Sequence, residues 1–147
     1  MKKIDIHQAM SFFEDKCRSY GLRITPQRTL IYKELLKATD HPSVDTVMVK
    51  VRKVMPNVSF DTVYRTVLSF AKIGIVNMVG GYGGARRFDP NIGEHHHFRC
   101  TKCDRIIDFY SPSFDALKIP EDVKRKFNVL NKKVLLEGIC EKCDKKK

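Results

Sequence analysis

The chain has 147 residues, which is enough for one domain or for two small ones, neither of which could bury a large core. Its formal net charge of +11 at pH 7 favours a polyanionic partner, nucleic acid first, because lysine and arginine on phosphates release condensed counterions. A solvated basic surface is the simpler alternative. No apolar run approaches the roughly 18 residues that span a bilayer, and the N-terminus lacks a signal-peptide core, so the prediction is a cytoplasmic protein with no membrane partner.

Helical patterns dominate the first half of the chain. Residues 4–20 show helical spacing, and Thr25 followed by Pro26 is typical of the start of a second helix. A third helix is predicted from Ser43. A fourth, FDTVYRTVLSFAKIG, is predicted to begin after the capping residue Ser59.

The fourth predicted helix has two different faces. Its predicted apolar stripe consists of Phe60, Val63, Tyr64, Val67, Leu68 and Ala71. The opposite face is polar, and polar side chains can reach base edges and phosphates when a helix enters a major groove. The candidate DNA contacts at this helix are Ser59, Thr62, Arg65 and Thr66.

A glycine-rich hairpin follows, because IVNMV and ARRF flank GGYGG. Helices followed by a basic hairpin describe a winged helix, to which Arg86 adds a further candidate DNA contact. The stretch DPNIG, residues 89–93, predicts a hinge. The predicted fold is therefore α+β, with a winged helix-turn-helix DNA-binding domain over residues 1–88. A small α/β metal-binding domain over residues 94–147 would contain two short strands, a helix in EDVKRKFN and a last strand in VLNKKVLLEGIC.

Two C-x-x-C pairs supply four thiolates that can face one ion. The predicted ligands are Cys100, Cys103, Cys140 and Cys143. In a reducing compartment these cysteines are metal ligands more often than disulfide partners, and four sulfurs suit a tetrahedral zinc ion that contributes to folding. An iron–sulfur cluster and a redox dithiol are the alternatives. Cys17, alone in the first helix, is predicted to be a small buried hydrophobe.

The run EHHHF predicts a second, separate metal site. His95 and His97 alternate along a predicted strand and share one face, whereas His96 should face the other way. The candidate ligands that join them are Asp108, Asp89 and His41. Imidazoles mixed with carboxylates are compatible with iron(II), manganese(II) or zinc(II), and such a site is the exchangeable, sensing kind.

The order of the motifs resembles the ferric uptake regulator (Fur) family over about residues 10–143. The motifs are GLRITPQR, HPSVDTV, SFDTVYRTVLSF, GGARRFDP, HHHFRCTKCDRIIDF and GICEKC. The resemblance implies a homodimeric, metal-dependent transcription regulator. In this family the N-terminal winged helix binds an inverted repeat in double-stranded operator DNA, and the C-terminal α/β domain dimerises. It also implies that Tyr64 and Arg65 meet the DNA.

Within the family, the sequence is most similar to the peroxide-sensing branch, PerR, because Asp108 is aspartate where iron-uptake regulators usually have glutamate. The resemblance implies a regulatory iron(II) or manganese(II) ion whose ligands are His41, Asp89, His95, His97 and Asp108. It further implies that His41 and His95 are oxidised when hydrogen peroxide meets the iron-loaded protein. Asn131 and Lys132 stand where many members carry a histidine of an additional metal site, so a third site is not expected.

The same residues are compatible with other functions. An iron- or zinc-responsive repressor of metal uptake would use the same ligands reversibly. A metallohydrolase would use zinc to activate water, but the sequence has no substrate-cleft motif such as H-E-x-x-H. A metal buffer is disfavoured by the winged-helix pattern. The protein is therefore not expected to be an enzyme.

Overall fold

The computed structural model describes residues 5–38, 41–79 and 86–145. The chain forms two compact units, Met1–Ile92 and Gly93–Lys147. No helix among the described residues is both long and apolar enough to cross a membrane.

Four helices form the described part of the first unit, and each has a side chain that caps its N-terminus. Their bounds are α1 Ile6–Ser19, α2 Pro26–Lys37, α3 Val44–Arg52 and α4 Phe60–Lys72. The caps are Asp5, Thr25, Ser43 and Ser59, and the side-chain oxygen of each accepts a hydrogen bond from a backbone N–H group in the first turn. The starts of α2, α3 and α4 are thus where the sequence predicted them, whereas α1 begins two residues later than predicted, after Asp5.

An aromatic cluster occupies the centre of this unit. The ring of Phe13 stacks on Tyr32 with centroids 4.6 Å apart and meets Phe70 edge-on at 5.5 Å. Cys17 is fully buried in the same core, as predicted, and burial raises the pKa of its thiol. The cluster therefore joins α1, α2 and α4 around one apolar core.

The buried stripe of α4 differs from the predicted one. Val63, Thr66, Val67 and Phe70 are its buried residues. Phe60 is 44% exposed and stacks on Tyr64 at 6.0 Å instead of entering the core. Thr66 tolerates burial because its hydroxyl donates to the Thr62 carbonyl at 2.7 Å. The prediction that Phe60 belongs to the core and Thr66 to the polar face was therefore wrong.

A two-stranded antiparallel sheet follows α4, as the hairpin pattern predicts. Its strands are β1 Asn77–Val79 and β2 Arg87–Asp89, with Met78 opposite Phe88. The predicted GGYGG tip lies outside the described residues. Strand β2 also contacts the segment before α3, because the Phe88 N–H donates to the Pro42 carbonyl at 3.0 Å. The four helices and this two-stranded sheet together form a winged helix.

The second unit is a three-stranded sheet with two short helices. The strands are β3 His96–Cys100, β4 Ile106–Phe109 and β5 Leu135–Gly138, and the helices are α5 Pro112–Asp115 and α6 Glu121–Lys126. Strand β3 is central, antiparallel to β4 and parallel to β5. The strands and α6 agree with the sequence, whereas α5 was not predicted and β5 is shorter than expected. The α+β class is confirmed.

Candidate metal centres and nucleic-acid interface

The four cysteines of the C-x-x-C pairs come together at one end of the second unit. Cys100 ends β3 and Cys140 lies just beyond β5, and the parallel pairing of these strands brings the two turns side by side. The four sulfur atoms lie within 4.8 Å of one another. An ion pair between Arg105 and Glu141, 2.8 Å long, links the two turns on the outside. This arrangement suits one tetrahedral zinc ion with no open position.

Backbone N–H groups near the sulfur atoms lower the pKa of Cys100 and Cys140. Hydrogen bonds from the backbone of Cys103 and Cys140 lower the pKa of Cys100 to about 6. The pKa of Cys143 is raised to about 12, first by its hydrogen bond to Cys140 and then by burial. Four adjacent thiolates repel one another unless a cation holds them. A divalent ion is therefore the partner that lets all four sulfurs ionise.

In the first unit, the predicted ligands His41 and Asp89 lie together. His41 Nε2 is 3.4 Å from Asp89 Oδ2, and both residues are buried. Two hydrogen bonds position them, because Arg87 Nε donates to the His41 carbonyl at 2.7 Å and the Asn91 N–H donates to Asp89 Oδ1 at 2.9 Å. The backbone of His41 has a φ of 53°, which is uncommon for a residue with a side chain. Strand β2 and the segment between α2 and α3 thus bring one carboxylate and one imidazole together.

In the second unit, His95 and His97 face the same carboxylate. Their Nε2 atoms are 3.8 Å and 3.3 Å from Asp108 Oδ1, and their rings are 4.7 Å apart. His97 and Asp108 are directly opposite each other on β3 and β4. All three side chains are largely buried. The strand alternation that the sequence predicted therefore produces two imidazoles and one carboxylate on a single face.

A hydrogen bond fixes the protonation of the His95 ring. Its Nδ1 is 2.6 Å from the Gly93 carbonyl oxygen, which can only accept, so Nδ1 carries the proton. In the neutral ring, Nε2 then keeps a lone pair on the side of Asp108. A backbone partner on the far nitrogen is the usual support of a metal-binding histidine. The chemistry of this set fits iron(II), manganese(II) or zinc(II).

His96 occupies the opposite face of β3 and has different partners. It is fully buried, its Nε2 lies 2.7 Å from Asp115 Oδ1, and its Nδ1 accepts a hydrogen bond from the Val134 N–H at 3.1 Å. Because Nδ1 accepts, Nε2 carries the proton and donates to Asp115. Both ring nitrogens are thus used within the protein, in agreement with the prediction that His96 is not a ligand. No sequence pattern pointed to Asp115 as the partner of His96.

The polar face of α4, here called the recognition face, comprises Asp61, Thr62, Arg65, Ser69 and Lys72. Arg65 is exposed, and its Nε lies 3.0 Å from Asp61 Oδ2. Arg86 is also exposed, and Tyr64 is half-buried. The Ser59 hydroxyl caps the helix.

Thr66 does not belong to the recognition face. It is only 8% exposed, and its hydroxyl already donates within the helix. The structure therefore argues against the predicted base contact by Thr66, for the same packing reason that changes the buried stripe of α4.

A winged helix combined with a four-cysteine group and buried histidine–aspartate sets is the arrangement expected of a metal-responsive transcription regulator. The model of the ferric uptake regulator family matches residues 19–137. The chain belongs to the Fur family.

Three proteins illustrate how similar this chain is to other members of the family. The peroxide-responsive repressor PerR of Staphylococcus epidermidis is 33% identical over 126 residues, which cover 86% of this chain and 84% of that protein. The solved ferric uptake regulator of Francisella tularensis with iron is 28% identical, with a TM-score of 0.69 over 84% of this chain and 96% of that one. The Campylobacter jejuni peroxide stress regulator is 25% identical, with a TM-score of 0.64 over 95% and 100% of the two chains.

Proposed function

We propose that this protein is a homodimeric cytoplasmic repressor that binds an inverted repeat in operator DNA while its regulatory metal is bound, and that it senses hydrogen peroxide. The observation that carries the proposal is the buried set of His95, His97 and Asp108, which provides two imidazoles and a short carboxylate on one face. The similarity to a peroxide-responsive repressor at 33% identity supports the same assignment.

Two kinds of metal are proposed. The four cysteines hold a structural Zn²⁺ ion. A regulatory Fe²⁺ or Mn²⁺ ion takes its ligands from both histidine–aspartate sets, namely His41, Asp89, His95, His97 and Asp108. Sharing one ion couples the DNA-binding domain, residues 1–88, to the dimerisation domain, residues 94–147, through the hinge at 89–93. Metal binding then favours one arrangement of the domains, and DNA that selects this arrangement reciprocally tightens the metal.

Peroxide sensing is proposed to be a modification of the ligands themselves. Iron(II) held by these five residues would supply the redox chemistry that cleaves the peroxide O–O bond. The imidazole of His41 or His95 is oxidised by two electrons, taking up one oxygen atom while the other leaves as water. An oxidised ring is a poorer ligand, so the metal is released and the DNA with it. Each reaction oxidises the chain itself and involves no turnover, so the protein acts as a sensor.

Charge and exposed apolar surface support the proposed partners. The net charge of +11 and the exposed Arg65 and Arg86 suit DNA. Strand β5 lies at the edge of the described sheet and exposes Leu135 and Leu136, at 37% and 43%, with Ile139 beside them at 42%. An exposed edge strand with apolar side chains favours pairing with another chain, and a second copy is the partner that a repeated operator requires.

The experiment that tests peroxide sensing compares two metals. Zinc-containing protein is loaded with iron(II) or manganese(II) without oxygen, given a small excess of hydrogen peroxide, and analysed by peptide mass spectrometry and gel shift. With iron, we expect one added oxygen on His41 or His95 and loss of DNA binding. With manganese, the histidines should gain no oxygen and DNA binding should be kept. His96 and the exposed His7 are internal controls that should gain no oxygen.

A second candidate is a repressor of metal uptake that responds reversibly to iron. The observation that favours it is the likeness to the Francisella tularensis ferric uptake regulator with iron, at 28% identity. The same ligands would then exchange their metal without being modified. Intact histidines after peroxide treatment, together with DNA binding that follows the metal concentration, would establish this function instead.

Arg65→Ala should lower the specificity of DNA binding. An exposed arginine on the recognition face can make a bidentate contact to guanine, and its loss costs about 1–3 kcal/mol of discrimination. Binding to a duplex selected by the wild-type protein is compared with binding to a random duplex of equal length. Lys72→Ala, which removes a charge from the last turn of the same helix, is the control and should change both affinities alike. An unchanged preference in Arg65→Ala would argue against this recognition face.

A further inference from the structure

Strand β2 is joined to the segment that carries His41. The Phe88 N–H donates to the Pro42 carbonyl at 3.0 Å, and Arg87 forms an isolated antiparallel bridge with Ser43. Asp89 is the last residue of the same strand. The strand and the segment before α3 are therefore held together next to the pair formed by His41 and Asp89.

The backbone of His41 needs support from its surroundings. Its φ of 53° lies in the left-handed region, which is uncommon for a residue with a side chain and persists where neighbouring contacts hold it. The direction of the imidazole depends on this backbone, and its Nε2 lies 3.4 Å from Asp89 Oδ2. A contact that holds the His41 backbone therefore also holds the imidazole beside the carboxylate.

Arg87 makes such a contact. Its Nε donates to the His41 carbonyl at 2.7 Å, between residues that are 46 positions apart in the chain. Hydrogen bonds from a charged donor are stronger than those between neutral groups, and this one is short. Arg87 is half-buried, whereas the neighbouring Arg86 is exposed. The two arginines of the ARRF motif thus differ, because Arg87 contacts the backbone of its own chain.

We propose that Arg87 is a positioning residue of the regulatory metal site, which holds the backbone of His41 so that the imidazole meets the ion together with Asp89. This inference rests on the proposed function, because it takes both residues as ligands. A ligand that is already in its binding geometry loses less conformational freedom when the ion arrives, so the ion binds more tightly. Arg87 therefore lowers the metal concentration at which the regulator binds DNA.

Two uncharged substitutions separate the hydrogen bond of Arg87 from its charge. Glutamine has an amide nitrogen at the same place along the side chain as the arginine Nε, so Arg87→Gln keeps a donor for the His41 carbonyl. Arg87→Met has a similar length and no donor. Manganese(II) is titrated into DNA-free, zinc-containing protein, and free manganese is measured by electron paramagnetic resonance.

The two variants should differ in manganese affinity. Arg87→Met should bind manganese roughly 10- to 100-fold more weakly than wild type, which is the usual loss for an outer partner of a metal ligand. Arg87→Gln should stay close to wild type. In metal-free protein, hydrogen exchange of the Phe88 amide, which donates to Pro42, should be faster in Arg87→Met than in Arg87→Gln.

Arg52→Met is the matched control for a lost hydrogen bond. Arg52 Nε also donates to a backbone carbonyl of the first unit, that of Val58, at 3.2 Å, and neither residue is a proposed ligand. The variant should lower the thermal stability of the first unit and leave the manganese affinity unchanged. A general loss of stability is thereby distinguished from a loss of positioning at His41.

His41→Ala shows through which residue Arg87 acts. If Arg87 positions His41, Arg87→Met should cause no further loss of manganese affinity in a His41→Ala protein. Equal losses in both backgrounds, equally weak binding by Arg87→Met and Arg87→Gln, or wild-type affinity in Arg87→Met would overturn the inference while His41 remains a ligand. Wild-type affinity in His41→Ala alone would instead remove His41 from the proposed ligands, and the inference would fail with it.

Discussion

Cys140→Ser is expected to lose the zinc and unfold the second unit. This unit buries few apolar side chains, and its sheet has three short strands. A structural zinc ion contributes roughly 10–16 kcal/mol in small zinc-binding peptides, far more than such a sheet can supply by burial. Removing one of four sulfurs should therefore reduce zinc from about one per chain to near none. Atomic absorption and circular dichroism measure the two effects.

Cys17→Ser is the matched control for that substitution. Cys17 is as deeply buried as Cys140 but lies in the aromatic core of the first unit. It should lower the stability of that unit and leave the zinc content unchanged. A Cys140→Ser protein that is folded, dimeric and fully loaded with zinc would contradict the four-cysteine assignment.

His95→Ala should abolish metal-dependent DNA binding while leaving zinc and the fold intact. Loss of an outer partner of a ligand already weakens metal binding by roughly 10- to 100-fold, and loss of the ligand itself should cost at least that. The Nδ1 of His95 is hydrogen-bonded to the Gly93 carbonyl and its Nε2 lies towards Asp108, so alanine removes an already oriented candidate ligand. Manganese titration followed by gel shift is the measurement.

Comparing His95→Ala with His7→Ala shows whether the loss of metal-dependent DNA binding arises at the proposed regulatory site. His7→Ala removes an exposed histidine from α1 and should bind manganese and DNA as the wild-type protein does. Zinc content should be equal in both variants. Unaltered manganese-dependent DNA binding by His95→Ala would remove His95 from the proposed ligands.

Sequence patterns predicted what depends on local spacing. Capping residues located the helix starts, and period-two alternation separated His95 and His97 from His96 correctly. The C-x-x-C pairs predicted that four sulfur atoms would come together, and they do. These features are local because a strand, a turn or a cap is decided within a few residues.

Long-range packing accounts for what the sequence did not predict. The burial of Thr66 depends on which side of α4 meets the other helices, and the spacing of residues along one helix does not determine that. The partners of His96 come from α5 and from the residue before β5, both distant along the chain.

The parallel pairing of β3 with β5 has a consequence for how the protein is made. Cys103 and Cys140 are separated by 37 residues, and the sheet is incomplete until residues 135–138 pair with its central strand. Such non-local pairing is slow because a long loop must close first. The four sulfurs of the proposed zinc site are therefore complete only after Cys140 and Cys143 have been synthesised. If zinc binds there, a shortage of zinc in the cell would limit the yield of folded second unit at this late stage.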